Sequence, residues 1–425
     1  MGEFLQDLWA NLPHLFTWLR EVQLRGNMVK AGWAPWAIDL TMSAIGIFAV
    51  STFGLLLVIF TIWLERKVAG RVQDRLGPNR VGPFGLFQTF ADVVKLLTKE
   101  DITPAGADRF LYNLAPFLAL MAVLMLWAVV PFAPDLFGTE FNVGALYVVA
   151  VGSLGTLAIL IAGWASNNKY ALLGAFRTVA MLVSYEVPMI LALLVPVLLA
   201  RTMSINQIVA GQTIWYVVLS PIAALVFFIS SLAEVGRAPF DLVEAESEIV
   251  SGYNIEYSGM KFGMFFVAEF LHAFTISALT ATLFFGGWRG PGVDQAPILG
   301  VVYFFIKTSF FYFFVMLTRV TFPRIRIDHV LGFNWKFLVP LSLANVVLAA
   351  VLDKLPWAAV PLVDGAPDPS LLANLPRAAT HLAGSLLLIV LTLALIRWGA
   401  ERARRSAQAP VETEPAEPIA AEAHS

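Results

Sequence analysis

Residues 41–64, TMSAIGIFAVSTFGLLLVIFTIWL, run for 24 positions without a charged side chain. A helix of that length rises roughly 36 Å, enough to cross the ~30 Å hydrocarbon core of a bilayer. The residues that follow, ERKVAGR, switch abruptly to charge, as a chain does on leaving a membrane. Further apolar runs lie at roughly 110–132, 144–166, 178–200, 213–234, 261–286, 297–320, 335–354 and 381–398. The fold class is therefore all-α, a polytopic transmembrane helix bundle of about nine spans. Composition agrees, since 58% of the 425 residues are hydrophobic and only 14% are charged, against about 25% charged in soluble domains.

On this reading the transmembrane domain covers 41–398. Residues 1–40 precede it with Trp9, Trp18, Trp33 and Trp36 but no short apolar core ending in a small-residue cleavage site, so they read as an interfacial anchor. Residues 399–425, rich in Ala, Pro and Glu, read as a disordered tail. Between the first two spans, GLFQTFADVVKLLTKED (85–101) puts Phe87, Phe90, Val94 and Leu97 on one helical face, as in a helix lying along the interface or under a partner.

Charge sets the orientation. Of the 28 Lys and Arg residues, twenty fall in the connections on one side of the bundle, seven on the other, and Lys307 lies inside a span. The positive-inside rule makes the richer side cytoplasmic, with the N-terminus outside and the C-terminus inside. The absence of cysteine excludes disulfides, iron–sulfur ligation and thiolate metal sites on this chain. Of the five histidines only His272 is deep in an apolar segment, which argues against a bis-histidine haem. GPNRVGPFG (77–85) lacks the Lys-Ser/Thr ending of a phosphate loop and reads as consecutive turns. Nothing points to a nucleic-acid partner.

An ionisable group near the centre of a spanning helix costs roughly 2.5–3.5 kcal/mol on insertion scales, and this chain has several. Glu186 lies about eight residues into the fourth span, Glu269 at a similar depth in the sixth, Lys307 mid-way in the seventh, and Glu234 at the cytoplasmic mouth of the fifth. One reading is a structural ion pair, such as Glu269 with Lys307. The other is a polar track entering from the cytoplasm, helped by Pro188 and Pro196, which free backbone carbonyls in the helix of Glu186. His272, three residues after Glu269, reads as a hydrogen-bonded histidine rather than half of a di-iron motif. The stretch EVGRAPFDLVEAESE (234–248) adds Asp241, Glu244, Glu246 and Glu248. Pro239 and Asp241 suit the start of a helix, but capping does not account for so many carboxylates.

From about Thr61 to Pro340 the chain resembles the quinone-chamber membrane subunit of respiratory complex I. The resemblance runs through ERKVAGRVQDRLGPNRVGPFGLFQTFADVVKLLTKED, SYEVP, EVGRAPFDLVEAESEIVSGYNIEYSGMKFGMFFVAEF and RVTFPRIRIDHVLGFNWKFLVP. It departs at Ile327, where the family commonly has Tyr, in a longer N-terminal segment and in a ninth span beyond the usual eight. The resemblance implies a subunit of a proton-pumping NADH:quinone oxidoreductase in a bacterial inner membrane, not catalytic alone. Its substrate there is a quinone, ubiquinone or menaquinone. Its partners are the hydrophilic iron–sulfur and quinone-site subunits, small membrane subunits and antiporter-like subunits. It makes Arg66, Arg71, Arg75, Arg80 and Asp92 candidates for the chamber and its entrance. Glu186, Glu234, Asp241, Glu244, Glu246, Glu248, Glu269 and Lys307 become candidates for a proton path. The alternatives are the homologous subunit of a hydrogenase-type or other donor-linked complex, and a stand-alone ion transporter, which would leave the long cytoplasmic loops unexplained.

Overall fold

A computed structural model of the chain describes residues 18–134, 136–242, 250–355, 362–363, 366–367 and 371–408. Among the described residues, eight helices are long and apolar enough to cross a membrane: α1 (Pro35–Val72), α3 (Arg109–Leu126), α4 (Gly144–Ala165), α5 (Lys169–Ala200), α7 (Gly259–Phe284), α8 (Ile298–Thr321), α9 (Ile327–Leu352) and α10 (Leu371–Gln408). Between them lie α2 (Gln88–Thr98) and α6 (Pro221–Glu234). Helix α10 continues ten residues past the expected end of the last span, into the stretch expected to be disordered.

The expected fifth span, 213–234, is the main difference. Ser220 (φ −140°, ψ 78°) interrupts it after the turn Tyr216–Leu219, and Pro221 starts α6. Proline has no N–H to continue a preceding helix and biases the residue before it away from helical angles. The 14 residues left in α6 rise about 21 Å, short of a full crossing.

Helix α7 is the axis of the bundle. In its most apolar window 67% of residues are buried, against 11% for α10, and it packs on α1, α3, α6 and α8 while α10 sits at the edge against α9. Close packing between α4 and α5 rests on small residues. A Cβ at Gly163 would stand 2.4 Å from Ala175 Cβ and 2.8 Å from Ala171 O, so any larger residue there forces the two helices apart. Polar side chains set the helix starts: Asp108 accepts the N–H groups of Phe110 and Leu111 at the start of α3, and Asn168 accepts that of Tyr170 at the start of α5.

Pro188 lies inside α5 and cannot donate to the carbonyl four residues earlier. That carbonyl, Ser184 O, accepts instead from the Asn334 side-chain amide at 2.6 Å. Asn334 opens a π-helical turn, Asn334–Leu338, in α9, and its neighbour Trp335 donates from Nε1 to Ser184 Oγ at 3.3 Å. Freed backbone was legible from the proline; its partner was not. Asn334→Leu leaves the buried Ser184 carbonyl without its donor and is expected to destabilise the bundle by about 1–3 kcal/mol. A lowered melting midpoint of the detergent-solubilised complex checks it.

Candidate functional site

Helix α6 ends at Glu234, and Gly236 (φ 70°) turns the chain back into the bundle. This turn carries Arg237 into the interior, where its side chain is 3% exposed. Its Nη1 donates to Glu65 Oε1 at 2.9 Å, and its Nε stands 3.2 Å from Glu269 Oε1. The guanidinium lies 4.5 Å over the Phe270 ring. Arg319, at the end of α8, also donates to Glu65 Oε1. Three helices and the turn after α6 thus converge on two carboxylates and two guanidinium groups, a charge-balanced set. Beside it, Arg324 donates to Asp241 Oδ2 at 2.9 Å, and Ile325 N–H to Pro239 O at 3.1 Å.

Two cavities meet behind this cluster. The first, with about 830 Å³ of empty space partly open to solvent, is lined by Arg237, Asp241, Tyr253, Glu269 and Arg319. The second, a narrower space, is lined by Glu186, Met189, Leu193, Phe227 and Leu279. Glu234, His272 and Gly152 line both. Glu234 is buried, with Oε1 at 3.9 Å from His272 Nε2 and Oε2 unpartnered. A Cβ at Gly152 would come within 3.4 Å of Glu234 Oε1. Thr156 donates to Glu186 Oε1 at 3.5 Å. The arrangement therefore grades from carboxylates held by arginine, Glu65 and Glu269, to Glu234 and Glu186, for which no Arg or Lys partner is present among the described residues.

Residues 45–350 match the NADH dehydrogenase family. The chain belongs to this family. It is similar to an NADH-quinone oxidoreductase subunit of Dehalococcoides mccartyi (strain CBDB1), with 47% identity over 72% of this chain and 85% of that protein. The corresponding NADH-quinone oxidoreductase subunit of Carboxydothermus hydrogenoformans is 46% identical over 76% of this chain and 93% of its own length. That of Bacteroides thetaiotaomicron is 42% identical over 78% and 95%.

Among the residues that the NADH dehydrogenase resemblance singled out, Glu186, Glu234, Asp241 and Glu269 come together around the two cavities. Glu244, Glu246 and Glu248 lie outside the described residues. Pro239 does not open a helix, because residues 239–242 are not helical; Asp241 pairs with Arg324, and the residues it would cap lie outside the described residues. Glu186 lies farther along its helix than the expected start of the span implied. Helix α5 starts at Lys169, placing Glu186 roughly 25 Å along it at helical rise, and Glu234, expected at a mouth, is enclosed. Lys307 does not pair with Glu269; its Nζ donates to Gly287 O at 2.9 Å and Arg289 O at 2.8 Å, beyond the far end of α7.

Of the chamber candidates, Arg66 and Asp92 meet at 2.5 Å, joining α1 to α2. Arg71, Arg75 and Arg80 are exposed, with Arg75 Nε on Gln73 Oε1 at 2.7 Å. The GPNRVGPFG turns are closely shaped: Gly82 and Gly85 have φ of 72° and 76°, and a Cβ on Gly85 would fall 2.2 Å from Pro78 O. Trp63 Nε1 pins the loop by donating to Phe84 O at 3.2 Å. Phe84, Phe87, Phe90, Val94 and Leu97 are exposed around it. The residues that sequence reasoning missed are Glu65, Arg237 and Arg319. Each stands just where an apolar run ends, and there a charge reads as topology; a glycine just before Arg237 was the one sign that the chain doubles back.

Proposed function

We propose that this chain is the membrane subunit of a proton-translocating NADH:quinone oxidoreductase that borders the quinone site and couples quinone reduction to proton translocation through its buried carboxylates. It has no cysteine, so electrons reach the quinone, ubiquinone or menaquinone, through iron–sulfur partner subunits. The Arg66–Asp92 pair, the loop with Arg71, Arg75 and Arg80 and the exposed aromatic face of α2 form the lipid-side entrance and the surface on which those partners sit. The acidic end of the bundle faces the cytoplasm of a bacterial inner membrane.

The observation that carries this reading is Glu234, paired with no Arg or Lys among the described residues and standing in the shared wall of two cavities, with Arg-held Glu269 on one side and Glu186 on the other. Reduction of a quinone takes up two protons and changes the charge in its site. A row of interacting carboxylates passes such a change along as coupled titrations. At an effective dielectric near 20, two carboxylates about 7 Å apart interact by roughly 2 kcal/mol, enough to shift a proton affinity by more than tenfold. The test is deletion of this chain, with NADH oxidation by membranes measured with quinone and with an artificial acceptor. Only the quinone-linked activity should vanish; if it persists, the assignment is wrong, and if no NADH oxidation depends on the chain, a hydrogenase-type complex takes its place.

A further inference from the structure

Lys307 is an intramembrane charge that the acidic cluster leaves unused. It sits nine residues into α8, and its Nζ donates to two carbonyls just past the end of α7 while lying 5.4 Å from the Trp215 ring centroid. Among the described residues no carboxylate is within ion-pair distance of it. Arg289, on the same turn, donates from Nη1 to Ala210 O at 2.6 Å and makes no ion pair among the described residues. Lys307 thus sits near the negative end of the α7 dipole, while Arg289 closes the end of the short helix Ile205–Ala210.

Between this turn and the carboxylates α7 offers no charge. After His272, α7 carries no ionisable side chain, and the hydroxyls of Thr275, Ser277, Thr280 and Thr282 all donate to carbonyls of their own helix. Apolar side chains, Leu126, Leu193, Phe227, Ile276 and Leu279, line much of the second cavity. Behind that layer Gln212 donates to Thr282 O and Leu283 O, with its own buried Oε1 unpartnered, a foothold for water next to the Lys307 turn. An apolar layer excludes hydrated ions, and a fixed cation repels a proton that enters.

We propose that Lys307, seconded by Arg289, is a fixed cationic barrier that stops protons passing between the carboxylate track and the far membrane face. This rests on the reading that the track carries protons. Capping of α7 alone would need only a hydrogen-bond donor; the barrier needs the charge. The purified complex carrying Lys307→Gln or Lys307→Arg is reconstituted in liposomes with a trapped pH dye. After an external pH jump without substrate, the Gln variant is expected to leak protons at least severalfold faster than wild type, and the Arg variant to stay near wild type. NADH oxidation with an artificial acceptor reports assembly. Unchanged leak in assembled Lys307→Gln, or equal leak in both variants, overturns the barrier. If Lys307→Gln does not assemble, Arg289→Gln is read in the same assay: a raised leak supports the barrier and an unchanged one overturns it. The leak is measured without turnover, so its failure is separable from failure of the path, which would show as intact pumping in Glu234→Gln.

Discussion

Glu234→Gln in the assembled complex is expected to lower quinone-linked NADH oxidation or the protons moved per NADH by at least tenfold, with NADH oxidation by an artificial acceptor near wild type. Glutamine matches glutamate in size and hydrogen-bonding reach, so the cavity walls shared by Glu234, His272 and Gly152 keep their shape. It cannot ionise. Removing a coupling of roughly 2 kcal/mol between neighbouring carboxylates corresponds to about thirtyfold in an equilibrium or a rate. Because Glu234 is the carboxylate common to both cavities, its loss separates Glu186 from the arginine-held cluster. Full retention of both activities would remove the carboxylate track from the account.

The largest structural effect is expected at Arg237. Its guanidinium spans Glu65 and Glu269, with the Arg237 and Glu65 side chains only 3% and 10% exposed. Arg237→Met keeps the apolar contact with Phe270 but takes away the ion pair that Glu269 makes with it, and breaking a buried pair from one side costs about 3–5 kcal/mol. The yield of assembled complex should fall sharply. Arg237→Lys should rescue only in part, since a single ammonium cannot reproduce the planar fork that meets two carboxylates. Adding Glu269→Gln to Arg237→Met should restore part of the yield, because the uncompensated charge is then gone. If the single and double variants assemble equally badly, the loss comes from packing and not from the stranded carboxylate.

The membrane bundle could be read from sequence because long uncharged runs have few other uses, and most of the spans lie close to where those runs do. The break at Ser220 and Pro221 was harder to see, since the apolar run continues across it and only the proline marks the point where helical hydrogen bonding stops. Among the site residues, Glu186 and Glu269 stood out by being charged within apolar runs. Their partners did not. Spacing along a helix gives height and face but not which neighbouring helix lies opposite, and for that reason Lys307 read as a partner for Glu269 although roughly 22 Å of α7 separate that residue from the helix end near which Lys307 binds. Arg237 and Arg319 were obscured by their places at the ends of apolar runs, where a basic residue ordinarily reports orientation. Asp241 fitted a helix start by its neighbour Pro239, yet Arg324, eighty-three positions away, claims it.

The central claim is that quinone reduction changes the protonation of Glu234 and Glu186. Infrared difference spectra of the assembled complex, recorded as quinone is reduced, read carboxyl protonation directly through the C=O stretching region. A carboxyl band that appears in the wild type and is lost or shifted in Glu234→Gln and in Glu186→Gln is the predicted result. A spectrum with no such band, or one unchanged by both substitutions, would contradict it.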